Sequence, residues 1–150
     1  MHQHARHSPL AAHPCSTISE GAHALELRVD LLASTEPAFV ASQVALLRAA
    51  SRLPIIFTVR SAAEGGGFRG TETEYFALNH LAVRLGCEWI DVEACWSEAG
   101  RRDFAAQLGG SRAIGSAHFQ EPCAGAVALE DTYRRCWLAG LMHVVKVVYT

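Results

Sequence analysis

Lys146 lies inside an apolar run, His143-Val144-Val145-Lys146-Val147-Val148. Desolvating an ammonium group is costly, so lysine is rarely buried. Burial lowers a lysine's pKa and frees the amine to attack carbonyls, which is the chemistry of Schiff-base enzymes. Taken alone, the run fits equally an edge strand whose lysine points to water, a device against aggregation. His118 closes a second run, Gly115-Ser116-Ala117-His118, and Arg60 closes a third, Ile55-Ile56-Phe57-Thr58-Val59. Glu64 follows just before Gly65-Gly66-Gly67, which by itself reads only as a flexible loop. In Leu25-Glu26-Leu27-Arg28-Val29-Asp30, period two puts Glu26, Arg28 and Asp30 on one face. Each of these residues alone fits a solvated or structural position. Arg28, Arg60, Glu64, His118 and Lys146 together supply a nucleophilic amine, a general base, a carboxylate to orient that base, and two cations. Such a set suits an anionic substrate with a carbonyl.

The elements that must position these residues alternate. Runs favouring strands fall at 24–29, 54–59, 88–92, 113–116 and 143–149, and helical patterns at 36–50, 72–85, 98–108 and 129–139. Thr35 is the expected cap of the first helix and Pro37 lies in its first turn; Gly86, Gly109-Gly110 and Gly140 are expected stops. A strand–helix unit recurring about every 30 residues is the repeat of a parallel sheet. A doubly wound open sheet and a (β/α)₈ barrel both give this rhythm. No GxGxxG follows the first strand and no P-loop occurs, which weighs against a nucleotide-binding open sheet. Parallel strands are covered on both faces, so three alternating charges in one of them call for a polar cavity, as at the lumen end of a barrel.

Composition sets outer bounds. With 50% hydrophobic and 19% charged residues, the 150-residue chain can bury a core without disulfides or metals. A net charge of −2 leaves no basic footprint for nucleic acid. Five cysteines without a CxxC pair argue against a disulfide framework or a four-cysteine zinc site, and for reduced thiols in a cytoplasmic protein. No apolar run approaches the roughly 20 residues of a membrane helix. Residues 1–22 are His-rich, with His2, His4, His7 and His13, and His23 follows directly. They are expected to form a flexible extension of biased composition ahead of a domain at 23–150.

The motifs, taken in order, resemble the type I 3-dehydroquinate dehydratases. The matching segments are Glu26-Leu27-Arg28-Val29-Asp30, Phe57-Thr58-Val59-Arg60-Ser61 with Glu64-Gly65-Gly66, Trp89-Ile90-Asp91-Val92-Glu93, Ile114-Gly115-Ser116-Ala117-His118 and Val144-Val145-Lys146-Val147. The stretch 75–93 is most similar to the version in fungal multidomain arom polypeptides. The resemblance implies an α/β fold, a (β/α)₈ TIM barrel of which about five βα units are present. It also implies dehydration of 3-dehydroquinate to 3-dehydroshikimate in the shikimate pathway of aromatic amino acid biosynthesis. Lys146 would form an imine with the substrate ketone. His118 would remove the acidified proton and later protonate the departing hydroxyl, and Glu64 would hold the His118 ring. Glu26, Arg28 and Arg60 would bind the substrate's polar groups. No metal and no organic cofactor is implied, because the imine is the electron sink. The expected partners are the small-molecule substrate, and a second copy or other shikimate-pathway domains; no membrane is among them. One departure is Phe119, where the family usually has Asp or Asn after the histidine. Two further readings stay open: a non-catalytic regulatory domain like the fungal quinate-pathway repressors, and an inactive fragment with open sheet edges.

Overall fold

The computed structural model describes residues 21–149. His2, His4, His7, His13 and Cys15, with the extension expected around them, lie outside the described residues. The chain alternates β1 (Leu25–Arg28), α1 (Pro37–Ala50), β2 (Ile55–Thr58), α2 (Glu72–Arg84), β3 (Trp89–Glu93), α3 (Glu98–Ala105), β4 (Arg112–Phe119), α4 (Ala126–Trp137) and β5 (Val144–Tyr149). The sheet order is β1-β2-β3-β4-β5 and every neighbouring pair is parallel. A doubly wound sheet reverses its order at a switch point, and this sheet does not. Chain order equal to spatial order is the wall of a (β/α)₈ barrel, here through five consecutive strands.

Local chemistry sets the helix ends. Thr71 and Glu74 form a capping box at the start of α2, and the Ser97 hydroxyl accepts the Gly100 N–H at the start of α3. Thr35 is not the cap of α1: Glu36 occupies that position without a side-chain bond, and Pro37 begins the helix. β4 continues to Phe119, three residues past its expected end. α3 stops at Ala105 rather than 108. A tight turn follows, in which Ser111 N–H donates to the Leu108 carbonyl. Leu108 stays buried in that turn, which is why its apolar side chain prolongs the helical pattern in the sequence.

Period two divides the strands. Leu27, Ile55, Phe57, Ile90 and Val92 point outward and pack with Val40, Val44, Leu78, Leu81 and Phe104 of the helices. The opposite, lumen face carries Glu26, Arg28, Thr58, Asp91, Glu93, Ser116 and Lys146. Gly115 lets α4 approach closely, since a Cβ there would run into the Cys136 carbonyl. Cys87, Cys95, Cys123 and Cys136 are unpaired. Among the described residues, no helix is long and apolar enough to cross a membrane.

Candidate active site

Arg60 leaves the end of β2 and is only 4% exposed. Its Nη1 donates to Glu64 Oε2 at 3.1 Å, Glu93 Oε1 at 2.9 Å and Ser116 Oγ at 3.2 Å; its Nη2 donates to Asp91 Oδ2 at 3.0 Å. Three carboxylates thus converge on one guanidinium. Arg60 is expected to bind the substrate's polar groups; here Nη1 is engaged by three acceptors and Nη2 by Asp91. A buried cation needs such partners.

His118 and Glu64 meet through one oxygen. Glu64 Oε2 accepts the His118 backbone N–H at 3.0 Å and lies 3.1 Å from His118 Nδ1. When Glu64 is ionised that oxygen can only accept, so Nδ1–H is then the donor and Nε2 carries the lone pair. Burial, with repulsion from the Arg60 and Lys146 cations, pushes the His118 pKa down to about 4. Burial and the neighbouring Glu93 push the Glu64 carboxyl up to about 7, against the pull of Arg60. A neutral imidazole with Nε2 open is a base ready to take a proton.

Lys146 sits on β5 directly opposite Ser116 of β4 in the parallel register. Paired residues share a face, so Lys146 points to the lumen with Ser116, while Val145 and Val147 pack on the outer side. β5 is the edge strand of the described sheet, yet the lysine turns toward the site. It is half-buried and makes no ion pair among the described residues. Its charge is felt at both Asp91 and His118.

β1 supplies the rim. Arg28 pairs with Asp30 through Nε at 2.9 Å and Nη2 at 2.7 Å, and its side chain remains 34% exposed. Glu26 is exposed and accepts the Thr58 hydroxyl at 2.7 Å. Asp30 also accepts the Arg60 N–H at 3.2 Å and the Gly67 N–H at 3.0 Å. The glycine run is therefore more than a flexible loop. Gly65 takes a left-handed φ of 81°, and a Cβ on Gly66 would collide with the Arg60 carbonyl. The loop folds tightly enough to deliver Glu64 under His118.

Asp91, Glu93, Ser116 and Tyr75 belong to this site without having been assigned roles from the sequence. Asp91 and Glu93 alternate with Ile90 and Val92 as Glu26 and Arg28 alternate with Leu25 and Leu27, so the same period-two signal marks them. Asp91 also accepts the Ser116 hydroxyl. Burial raises the Asp91 pKa, against Arg60, Ser116 and Lys146. Glu64, Glu93 and Cys95 bring potential ligand atoms within 4.8 Å of one another. Arg60 Nη1 bonds both carboxylates, so the guanidinium already supplies the positive charge a metal would bring. Cys95 is exposed, and the Glu93 and Glu64 carboxylates beside it hold its thiol above its ordinary pKa, which opposes the thiolate a metal needs.

Comparisons with known proteins agree on one relationship. A family model described as Type I 3-dehydroquinase matches residues 10–150. The Pentafunctional AROM polypeptide of Malassezia globosa is 44% identical over 104 residues, covering 67% of this chain and 6% of that polypeptide. The dehydroquinate dehydratase and shikimate dehydrogenase from S. pombe AroM has a TM-score of 0.75 at 30% identity, over 85% of this chain and 26% of that one. A type I 3-dehydroquinate dehydratase from Clostridium difficile, solved with covalently modified comenic acid, has a TM-score of 0.78 at 22% identity, over 85% of this chain and 52% of its own. At that identity the last likeness bears on fold. The chain spans about half the length of the Clostridium difficile chain and a small part of the AROM polypeptides.

Proposed function

This chain belongs to the type I 3-dehydroquinase family, and from that premise we propose that it serves the dehydration of 3-dehydroquinate to 3-dehydroshikimate through a lysine imine. The activity proposed is that of the whole barrel to which these strands contribute. The Lys146 amine adds to the substrate ketone and water leaves, giving a protonated imine. The imine draws electrons from the adjacent C–H, and His118 Nε2 takes that proton. The electron pair then expels the neighbouring hydroxyl, to which His118 returns the proton, and hydrolysis of the imine frees product and lysine. Glu64 holds the imidazole and steadies its charged form. Glu26 and Arg28, at the exposed rim, meet the substrate's polar groups. Arg60 acts from beneath by organising Glu64, Asp91 and Glu93.

The observation that carries this reading is the placement on adjacent parallel strands of Lys146, which makes no ion pair among the described residues, and His118, whose Nδ1 lies 3.1 Å from Glu64 Oε2. A regulatory domain that only senses the substrate has no chemical need for that pair. The unpaired thiols support a cytoplasmic setting. The multidomain relatives support association with other shikimate-pathway domains, and residues 23–150 are the extent proposed for the barrel segment. The test is to incubate the protein with 3-dehydroquinate, reduce with borohydride and locate the adduct by mass spectrometry. A substrate mass on Lys146, lost in Lys146→Met, is expected. A folded wild-type sample with no adduct would sink the enzymatic reading for this chain and favour the regulatory one.

A further inference from the structure

β3 sends its even residues toward β4: Arg112 N–H donates to the Glu88 carbonyl, and Ala94 N–H donates to the Ser116 carbonyl. The backbone groups of Asp91 and Glu93 therefore face β2. The β2–β3 ladder pairs Ile56 with Trp89 and Phe57 with Ile90, and then ends. In a continued parallel ladder Val59 would come next, its N–H to the Asp91 carbonyl and its carbonyl to the Glu93 N–H. Tyr75 of α2 takes that place instead. Its hydroxyl donates to the Asp91 carbonyl at 3.2 Å and accepts the Glu93 N–H at 3.0 Å. One side-chain oxygen replaces both backbone groups of a strand residue. Past this point, β2 and β3 are bridged by side chains: Ser61 N–H donates to Glu93 Oε1, and Arg60 reaches Asp91 and Glu93.

We propose that the Tyr75 hydroxyl is a positioning residue that ends the β2–β3 ladder below the site, so that Arg60 can cross between the strands and set Glu64 against His118. Tyr75 is fully buried, and its ring packs 4.7 Å from Trp96 and 5.2 Å from Phe76. Burial and the nearby Glu93 and Asp91 charges hold its phenol well above its ordinary pKa, so it stays a neutral donor and acceptor. Without the hydroxyl, either Asp91 and Glu93 keep unpartnered backbone groups or Val59 moves in and the strands close. In both cases the carboxylates on Arg60 move, and Glu64 moves with them.

This inference deepens the proposed reaction and rests on it for the meaning of His118, but its test does not need turnover. The full chain carrying Tyr75→Phe is titrated by NMR at the His118 ring nitrogens, alongside a thermal melt. The groups whose charges act on His118 are Glu64, Arg60, Lys146, Glu26 and Arg28, and all are retained in the variant. The expected result is a His118 midpoint displaced toward the ordinary value by about 0.5–1 pH unit, because its burial and its distance from Arg60 both change. A lower melting temperature with an unmoved His118 midpoint would leave Tyr75 a packing residue only and overturn the proposal. If Tyr75→Phe does not fold, 3-fluorotyrosine at position 75 keeps the shape and weakens the acceptor. It should shift the Glu93 amide resonance and the His118 midpoint, and no movement in either overturns the proposal. Borohydride trapping on the wild type separates the two ideas. No adduct with a shifted midpoint removes the reaction and keeps the positioning; an adduct with an unmoved midpoint does the reverse.

Discussion

Glu64 and His118 share one hydrogen-bonded edge, and their affinities for protons move in opposite directions. Glu64 rises from 4.5 to about 7 and His118 falls from 6.5 to about 4. An ordinary ion pair would do the reverse, so desolvation prevails over their mutual attraction here. Between about pH 4.5 and 6.5 the unfolded groups hold one proton on imidazole, and the folded pair holds it on the carboxyl. The signs follow from linkage. The Glu64 contribution to stability is present below 4.5 and is lost as pH rises through about 7; the His118 contribution is present above 6.5 and is lost as pH falls through about 4. Glu64→Gln should leave only the second, so its melting temperature should fall on acidification from 6.5 to 4 more steeply than in the wild type. On the proposed reaction, wild-type turnover should rise through about pH 7 as the carboxylate forms under Nδ1–H, and Glu64→Gln should flatten that step. A steep rise through 7 that persists in Glu64→Gln would assign it to another group. His118→Ala should lower turnover by about 10²–10⁴-fold, the usual share of a general acid–base residue. The amine, the base and its carboxylate were legible as residue types at strand ends. The engagement of Arg60 by Asp91 and Glu93 was not, because sequence spacing does not tell which cations are already neutralised inside the protein.

Elements place these residues through close backbone contacts as much as through side chains. The five strands and four helices follow from periodicity and glycine stops, and they differ from expectation mainly at their ends. β4 is the instructive case. The apolar pattern around 113–116 marks its centre, but its run to Phe119 depends on pairing with β5 as far as Phe119–Tyr149, a partner that local sequence does not contain. Stacking of those two rings at 4.8 Å extends the pair to its end. Gly115 carries the same lesson inward. Its missing Cβ admits the Cys136 carbonyl of α4, and the next residue, Ser116, is the one that bonds Asp91 and faces Lys146. Gly115→Ala should push α4 off β4 and destabilise the chain by roughly 1–3 kcal/mol, as overpacking in cores does. Thermal or urea unfolding measures this. Gly110→Ala is the matched control, since a Cβ there meets open space and should change little. Equal effects of the two substitutions would mean that α4 does not rest on β4 as described.

At the scale of the whole molecule, the outer side of β5 decides how the chain behaves alone. Right-handed crossovers lay each barrel helix over the groove beside its own strand. α4 covers one flank of β5, and the other flank is open: Val145, Val147, Ala126, Leu129 and Tyr133, together with Glu130, line a mainly apolar groove of about 450 Å³. Leu129 and Tyr133 are 44% and 49% exposed. β1 and β5 are both edge strands of the described sheet, with ladder groups that no described strand receives. A parallel sheet normally has neither an open face nor a long open edge. Strand count was legible from the recurrence of about 30 residues, and the described sheet has five strands where a closed barrel wall has eight. The physical consequence is association. The 150-residue chain should show a molar mass that climbs with concentration by light scattering after size exclusion. Val147→Lys should lower that mass at a given concentration, because a cation on the outer face of β5 opposes both apolar burial and edge pairing. Lys146 is on the other face of the strand, so the borohydride adduct should form in Val147→Lys as in the wild type. A monomer mass at every concentration in the wild type would mean that the groove beside α4 is not a driving surface, and that the open edge is protected by the twist and charge of β5 itself.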